Sequence, residues 1–387
     1  MLLTKHSFVL VFVLVLLLLG ACGPQGAVPQ PEALQLTVLP SATTMPSATA
    51  TPVPTFTPSP TATLLSDGQT SVSDPATPQP IVDPLTGAPA FARGQIKARP
   101  YIVMIDNHPD AYPQVGLDHA AVVFEALAEY GVTRFEAVFV PGISPDADKI
   151  GPVRSTRTYF VQWAMGMRAL YAHAGGSPGG LALAQSTDKI INLDALENGD
   201  SGEPYFYRSK DRVAPQNLYT TSKLLEKAMS DRGVSDFADP EMGFLFKEDA
   251  PKDQRPASQR LDYFFLYKQF PVAWTYDPET NGYYRRWLNK PAVDAATGKQ
   301  LWTKNIVVME VPERPIQGDD KARIEQDVIG EGKAQVFMDG VERDITWRKD
   351  APEAPLRFYE ADGSEVKLNV GPAWIVALPA LGNVTVK

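Results

Sequence analysis

The chain has 387 residues but only one cysteine and four histidines. A lone thiol cannot close a disulfide within the chain. If that thiol is consumed, no thiolate metal site or cysteine nucleophile is left either. The histidines are His6, His108, His119 and His173. None of them are spaced as an i, i+4 zinc-binding pair, although Asp106 and His108 with a distant His173 offer ligand types. No EF-hand loop is visible. The sequence therefore predicts neither a metal site nor a cofactor. Positive charge is also short, since the formal net charge is −9. That balance argues against nucleic acid and against anionic lipid as broad-surface partners, while leaving room for a local basic pocket.

The position of the cysteine says how it is used. Lys5 gives a positive start, Phe8 to Leu19 run unbroken and apolar, and Leu19-Gly20-Ala21-Cys22 follows. This is the pattern of a bacterial lipoprotein leader, in which Cys22 takes the lipid and becomes the mature N-terminus. The apolar run is short for a span, which needs about 20 residues. The expected location is outside the cytoplasmic membrane, held there by lipid on Cys22. His6 then leaves with the leader.

Four segments follow from composition. Residues 1–22 are leader and lipobox. Residues 23–90 form a Pro/Thr/Ser-rich tether that includes Ser41 to Thr63. This segment has little apolar surface with which to offset its ordering entropy, so it is expected to be disordered. Residues 91–253 are expected to form an α/β domain carrying the candidate site, and residues 254–387 a mainly antiparallel β domain. Strands are expected at Tyr101–Ile105, Arg134–Val140 and Ala169–His173. Asp118 either caps a helix running to Tyr130, or Ala120–Phe124 is a strand that hairpins through Gly131. A helix is expected from a Ser155 cap to Arg168, its apolar stripe formed by Phe160, Trp163, Ala164 and Met167. Another begins near Leu181. After Gln254, strand candidates at 262–267, 283–288, 304–311, 334–338, 345–348, 357–359 and 374–378 are separated by turns. Asn281-Gly282, Asp339-Gly340 and Asp362-Gly363 have the composition of hairpin turns.

Polar residues collect where the first strands should end: Asp106, Asn107 and His108 after one, His173 and Ser177 after another. In an open α/β sheet, ligands sit beyond the carboxyl ends of the strands. Gly151-Pro152-Val153-Arg154-Ser155-Thr156-Arg157 is the sharper signal. Two arginines at a helix start oppose its dipole and need an anion. That anion is either a bound carboxylate or phosphate, or a protein carboxylate such as Glu125, Glu129 or Asp106. Asp106, Asn107, His108, Glu125, Arg134, Arg154, Ser155, Arg157, His173 and Ser177 are the candidate ligand-binding set.

Enzyme signatures are incomplete. Gly175-Gly176-Ser177-Pro178-Gly179 matches a nucleophile-elbow pattern, but Pro178 cannot donate the oxyanion-hole N–H. Every histidine also precedes Ser177, which leaves only a subtilisin-like order, Asp106–His173–Ser177. The alternative is that Ser177 is a turn residue. Carboxylate pairs among Glu125, Glu129 and Glu136 carry little weight in a chain with 45 acidic residues. Tyr205-Phe206-Tyr207-Arg208 and Gln216-Asn217-Leu218-Tyr219 suit either sugar stacking or a packed loop. The leading expectation is a non-catalytic envelope protein that binds an anionic small molecule or a muropeptide. The alternatives are an envelope hydrolase using His108 or His173 with a carboxylate, and a scaffold that holds an envelope protein through the β domain.

Several stretches together carry a family resemblance. They are Arg99–Pro109, Gly131–Phe135, Lys149–Arg157, His173–Ser177, Ala214–Tyr219, Tyr283–Arg286, Asp294–Gly298 and Arg357–Tyr359. On these the chain resembles the YerB-like bacterial lipoproteins. The resemblance implies a lipid-anchored protein with two adjoining domains of unknown function, and it supplies no catalytic residues.

Overall fold

The computed structural model describes residues 81–90, 99–197, 199, 202–234 and 242–387. Cys22, the leader and the tether as far as residue 80 lie outside the described residues. Residues 81–90, grouped with the tether on composition, pair Ile81–Val82 with Pro89–Ala90 and bury Asp83 and Leu85.

A mixed ten-stranded sheet organises the described body. Its strands lie in the order Arg357–Tyr359, Val341–Lys349, Gly330–Met338, Asn305–Glu310, Ala373–Leu378, Val122–Glu129, Val132–Phe139, Tyr101–Asp106, Leu170–His173 and Ile191–Asp194. The first half of the chain thus contributes an α/β part and the second a mainly antiparallel one, as composition and pattern predict. An exception in the ten-stranded sheet is Ala373–Leu378, which lies parallel to both Asn305–Glu310 and Val122–Glu129. It joins the two parts into one sheet.

Tyr101–Asp106 reads as an unbroken apolar run because both faces of its sheet are covered. Ile102 and Met104 enter one core, and Tyr101, Val103 and Ile105 enter the other. The first core is closed by α1 (Thr158–Met167), whose Trp163 stacks on Phe124 at 4.9 Å. α1 starts two residues later than a Ser155 cap would place it. Arg157 occupies the N-cap position without a side-chain cap. α2 (Pro178–Ser186) begins at Ser177, whose Oγ accepts the Gly180 N–H at 3.2 Å. Pro178 stands at the first helical position, where its missing N–H costs nothing. α3 (Ser222–Asp231), capped by Thr221, closes the second core with a second sheet.

That second sheet is antiparallel: Lys290–Pro291, Gly282–Trp287, Val272–Asp277, Arg260–Tyr263 and Val384–Val386, with Trp302–Thr303 also on Gly282–Trp287. The strand expected to continue to Tyr267 leaves the sheet after Tyr263, and Leu266, Tyr267 and Phe270 are exposed. The open choice after Asp118 resolves as strand. Val122–Glu129 turns through Tyr130 and Gly131, both at positive φ, into Val132–Phe139. Gly131 is also a point of close approach, since a Cβ there would lie 2.6 Å from the Tyr267 ring.

One buried ion pair ties the two sheets. Arg285 Nη2 donates to both oxygens of Glu125, at 2.7 and 2.8 Å. Trp374 Nε1 donates to the same carboxylate at 2.9 Å, and Tyr263 Oη at 3.3 Å. The guanidinium lies over Phe135, Trp274 and Trp374 at 5.0–5.8 Å. Burial disfavours the Arg285 charge, but attraction to Glu125 outweighs this and raises its pKa. Removing one partner strands the other's charge in the core, which costs about 3–5 kcal/mol. Arg285→Met is therefore expected to lower the unfolding free energy by about that amount. An apolar Glu125→Leu/Arg285→Met pair should recover much of it in urea unfolding, and a double variant as weak as the single would contradict this account.

Candidate functional site

Sheet geometry brings the polar signals to one edge. Tyr101–Asp106 runs parallel to Leu170–His173, so their carboxyl ends emerge together. Val132–Phe139 is antiparallel to Tyr101–Asp106 with Arg134 opposite Asp106, which puts the Tyr130–Gly131 turn at the same edge. The 151–157 segment crosses there, held by Arg154 N–H to Met104 O at 2.8 Å and an Ile105–Val153 bridge. A bridge between Glu129 and Arg323 brings in the second half of the chain.

A charged cleft of about 560 Å³ opens at this edge. Arg154, Arg157, Lys321 and Arg323 line it against two carboxylates, Asp106 and Glu129, with His108, Tyr130 and Ser155 also on its walls. Glu129 Oε1 accepts from Arg134 Nη2 at 2.7 Å, and Oε2 accepts from Arg157 Nη2. Burial pushes the Glu129 carboxyl up, but Arg134 and Arg157 together outweigh this and leave it below the usual range. The Arg157 pKa is also lowered, first by burial and then by Arg134, although Glu129 opposes both. The two directions agree on one physical picture, in which two buried guanidiniums share a single carboxylate. Arg134 and Arg157 therefore have internal partners and frame the cleft from behind, with Arg134 Nη1 donating to Ser155 O at 2.8 Å. Arg323 is likewise held by Asp319, Nε to Oδ1 at 2.7 Å.

Arg154 differs. Its Nε lies 3.3 Å from Asp106 Oδ2, its side chain is 29% exposed, and among the described residues its guanidinium donates no hydrogen bond. Asp106 is mostly occupied elsewhere, accepting from His108 N–H at 3.2 Å and from Gln216 Nε2 at 3.4 Å. Among the described residues, Arg154 and Lys321 are thus the cations on the cleft wall with donors to offer.

An apolar cleft adjoins the charged one and shares His108, Tyr130 and Val132 with it. Phe265, Tyr267, Phe270 and Trp287 give it aromatic walls, with Asn107 and Glu125 at its base. Asn107 is internally satisfied by Thr133 at 2.7 Å and Gln114 at 2.8 Å.

The remaining candidates turn inward. His173 is fully buried, with Nδ1 2.9 Å from Gly175 O and Nε2 2.8 Å from Asn192 Oδ1. Ser177 is 1% exposed and caps α2. Neither lines either cleft. Glu125 sits in the core with Arg285, away from Arg154 and Arg157. The residues missed in sequence are Lys321, Arg323 and the aromatic loop 265–270. They lie more than a hundred residues from the first cluster, and no local pattern links them to it.

The contacts separate the arginines by experiment. Arg157→Ala leaves Glu129 with half its charge compensation and is expected to cost about 1–3 kcal/mol, seen as a lower thermal midpoint. Arg154→Ala removes only a partly exposed pair and is expected to cost less than about 1 kcal/mol. Glu129 adds a pH signature. A carboxylate with a lowered folded pKa contributes stability above its unfolded value and loses it as pH falls through the folded one. The gap in stability between wild type and Glu129→Gln should therefore shrink as pH drops below the ordinary glutamate range. A gap that is constant with pH would mean the pair contributes no net charge effect.

Comparison with known proteins places this arrangement. The family described as "Protein of unknown function (DUF3048) N-terminal domain" matches residues 85–235, and its C-terminal domain counterpart matches 261–375. The Bacillus subtilis (strain 168) protein YerB, which carries the name of a lipoprotein, is 30% identical over 323 residues, covering 82% of this chain and 92% of that protein. The crystal structure of YerB from Bacillus subtilis superposes with a TM-score of 0.69 at 28% identity, covering 79% of this chain and 99% of the other. Most of the charged cleft falls in the first matched domain, with Lys321 and Arg323 contributed by the second, and the chain belongs to the YerB-like family built from paired N- and C-terminal DUF3048 domains.

Proposed function

We propose that this chain is a lipid-anchored extracytoplasmic lipoprotein whose folded body binds an anionic ligand without transforming it. The lipobox ending at Cys22 and the name of the Bacillus subtilis relative support the anchor. The observation that carries the binding role is a cleft wall with four cations and two carboxylates, in a chain whose net charge is −9. Such local reversal of charge concentrates anions, and the planar fork of Arg154 suits carboxylate or phosphate. His108 lines both clefts and stays open to the hydrolase reading, while a non-catalytic role is supported by the state of His173 and Ser177. His173 spends both ring nitrogens on structural partners, and Ser177 spends its hydroxyl on a helix cap. The ligand class favoured by this location is a muropeptide or another charged envelope component.

Two experiments test the proposal. Cys22→Ala should abolish incorporation of a clickable fatty acid and release the protein from the membrane fraction; continued labelling would refute anchoring at Cys22. Thermal-shift titration with inorganic phosphate, wall-polymer fragments and muropeptides should raise the wild-type midpoint, because only ligands that prefer the folded state do so. Arg154→Ala should lose that shift while keeping its own midpoint near wild type. If no anion shifts the wild type, the cleft is not a binding site for them.

A further inference from the structure

The charged cleft does not stand alone. The apolar cleft beside it holds about 170 Å³, and a third depression of about 330 Å³ on the other side of Tyr130 is lined by Leu127, Leu266, Pro315 and Ile324. Tyr130 borders all three. Around it the exposed apolar side chains gather: Tyr130 is 63% exposed, Leu266 48%, Tyr267 44% and Phe270 44%. These four account for much of the large apolar side-chain surface left open among the described residues. Single exposed apolar residues need no explanation, but a grouped patch beside a cleft does.

The patch is built by specific local choices. The chain leaves the second sheet after Tyr263, which frees Phe264 to Phe270 to fold over the hairpin turn. Gly131 lets the Tyr267 ring lie against the turn backbone, where any Cβ would collide at 2.6 Å. The Tyr267 and Phe270 rings then meet edge to face at 6.4 Å. Tyr130 is fixed from the other side by its hydroxyl, which donates to Asp320 O at 3.0 Å, next to Lys321. The turn therefore holds cations on one side and aromatic rings on the other.

We infer that the site takes an amphiphilic anion: an acidic headgroup on Arg154 and Lys321, with an extended apolar portion running past Tyr130 between Tyr267, Phe270 and Trp287. This rests on the anion-binding reading above and goes on to name the class of ligand. Charge complementarity decides the orientation, because the apolar cleft offers one buried and already neutralised carboxylate, Glu125, and no free cation among the residues that line it. A phosphate or carboxylate headgroup has its partners only on the Arg154 side. The apolar portion has its partners only on the other. An envelope lipid and a soluble acylated or prenylated acid share this chemistry.

The test uses residues 23–387, which retain every described residue and carry no acyl group of their own. Inorganic phosphate, butyl phosphate, octyl phosphate and octanol are titrated at monomeric concentrations, following tryptophan fluorescence, to which Trp287 contributes. Full transfer of a methylene to an apolar site is worth about a fourfold gain in affinity. A partly open cleft should still give octyl phosphate at least a tenfold advantage over butyl phosphate. Tyr267→Ala/Phe270→Ala should remove that advantage and leave inorganic phosphate binding intact. Arg154→Ala should weaken every phosphate in the series. Equal affinity for butyl and octyl phosphate overturns the amphiphile inference and leaves the anion site standing. Octanol binding as tightly as octyl phosphate overturns both. Self-association of wild type that disappears in the double variant, with no gain for octyl phosphate, assigns the patch to a second copy and overturns the inference. Where octyl phosphate does bind as expected, sedimentation with phosphatidylglycerol vesicles separates the sources: co-sedimentation lost in both variants names a membrane lipid, and its absence names a soluble amphiphile. Vesicle binding without octyl phosphate binding means surface adhesion and overturns the cleft assignment.

Discussion

The buried pair of Glu125 and Arg285 is the constraint on which the rest of the molecule depends. Glu125 stands in the middle of the ten-stranded sheet, and Arg285 reaches it from the second sheet. A carboxylate and a guanidinium placed in a hydrocarbon core cost several kcal/mol each unless their hydrogen-bonding capacity is met. Here Trp374 and Tyr263 complete the carboxylate, while three aromatic rings surround the cation. Those partners come from 125, 263, 285 and 374, so the pair can be satisfied only when both halves of the chain are docked. A misregistered docking would leave the charges unpaired, so the pair sets the register between the two sheets.

That registration positions the clefts. The aromatic loop 265–270 follows directly from the strand that carries Tyr263, and Trp287 ends the strand that carries Arg285. With those strands fixed over Phe135 and Trp374, the loop is delivered to the Tyr130–Gly131 turn. The charged side of the turn depends on the first sheet and on the 319–324 segment, where Asp319 holds Arg323 in place. Two independent sets of contacts therefore meet at a single two-residue turn.

Within the charged cleft the arginines have different parts. Arg134 and Arg157 share Glu129 and are framework. The lowered pKa of Arg157 reflects burial first and the neighbouring Arg134 charge second, with Glu129 opposing both. Arg154 makes one loose contact and presents the remaining donors. The expectation that a protein carboxylate would answer the two arginines, and the alternative that a ligand would, thus apply to different residues of the same motif.

Much of the architecture was legible from periodicity and punctuation. The run Tyr101–Ile105, the stripe on α1 and the turn dipeptides Asn281-Gly282 and Asp339-Gly340 each report a local preference, and local preferences survive in the fold. Pro178 told against a serine nucleophile because a missing N–H is a property of the residue itself. The leader pattern at Cys22 is likewise a purely local signal. Tertiary structure decided matters that depend on distant partners. Strand rather than helix at 122–129 follows from neighbours at 132–139 and 373–378. His173 and Ser177 turned inward because Asn192, Gly175 and Gly180 offered hydrogen bonds there. Lys321, Arg323 and the 265–270 loop joined the site through sheet pairing, with no signal near Arg154 to announce them. The sequence by itself determined most of the strands and turns, since these rest on interactions within a few residues. Only the packed structure decided which charges are neutralised and which face the cleft, because that depends on groups brought together across more than a hundred residues.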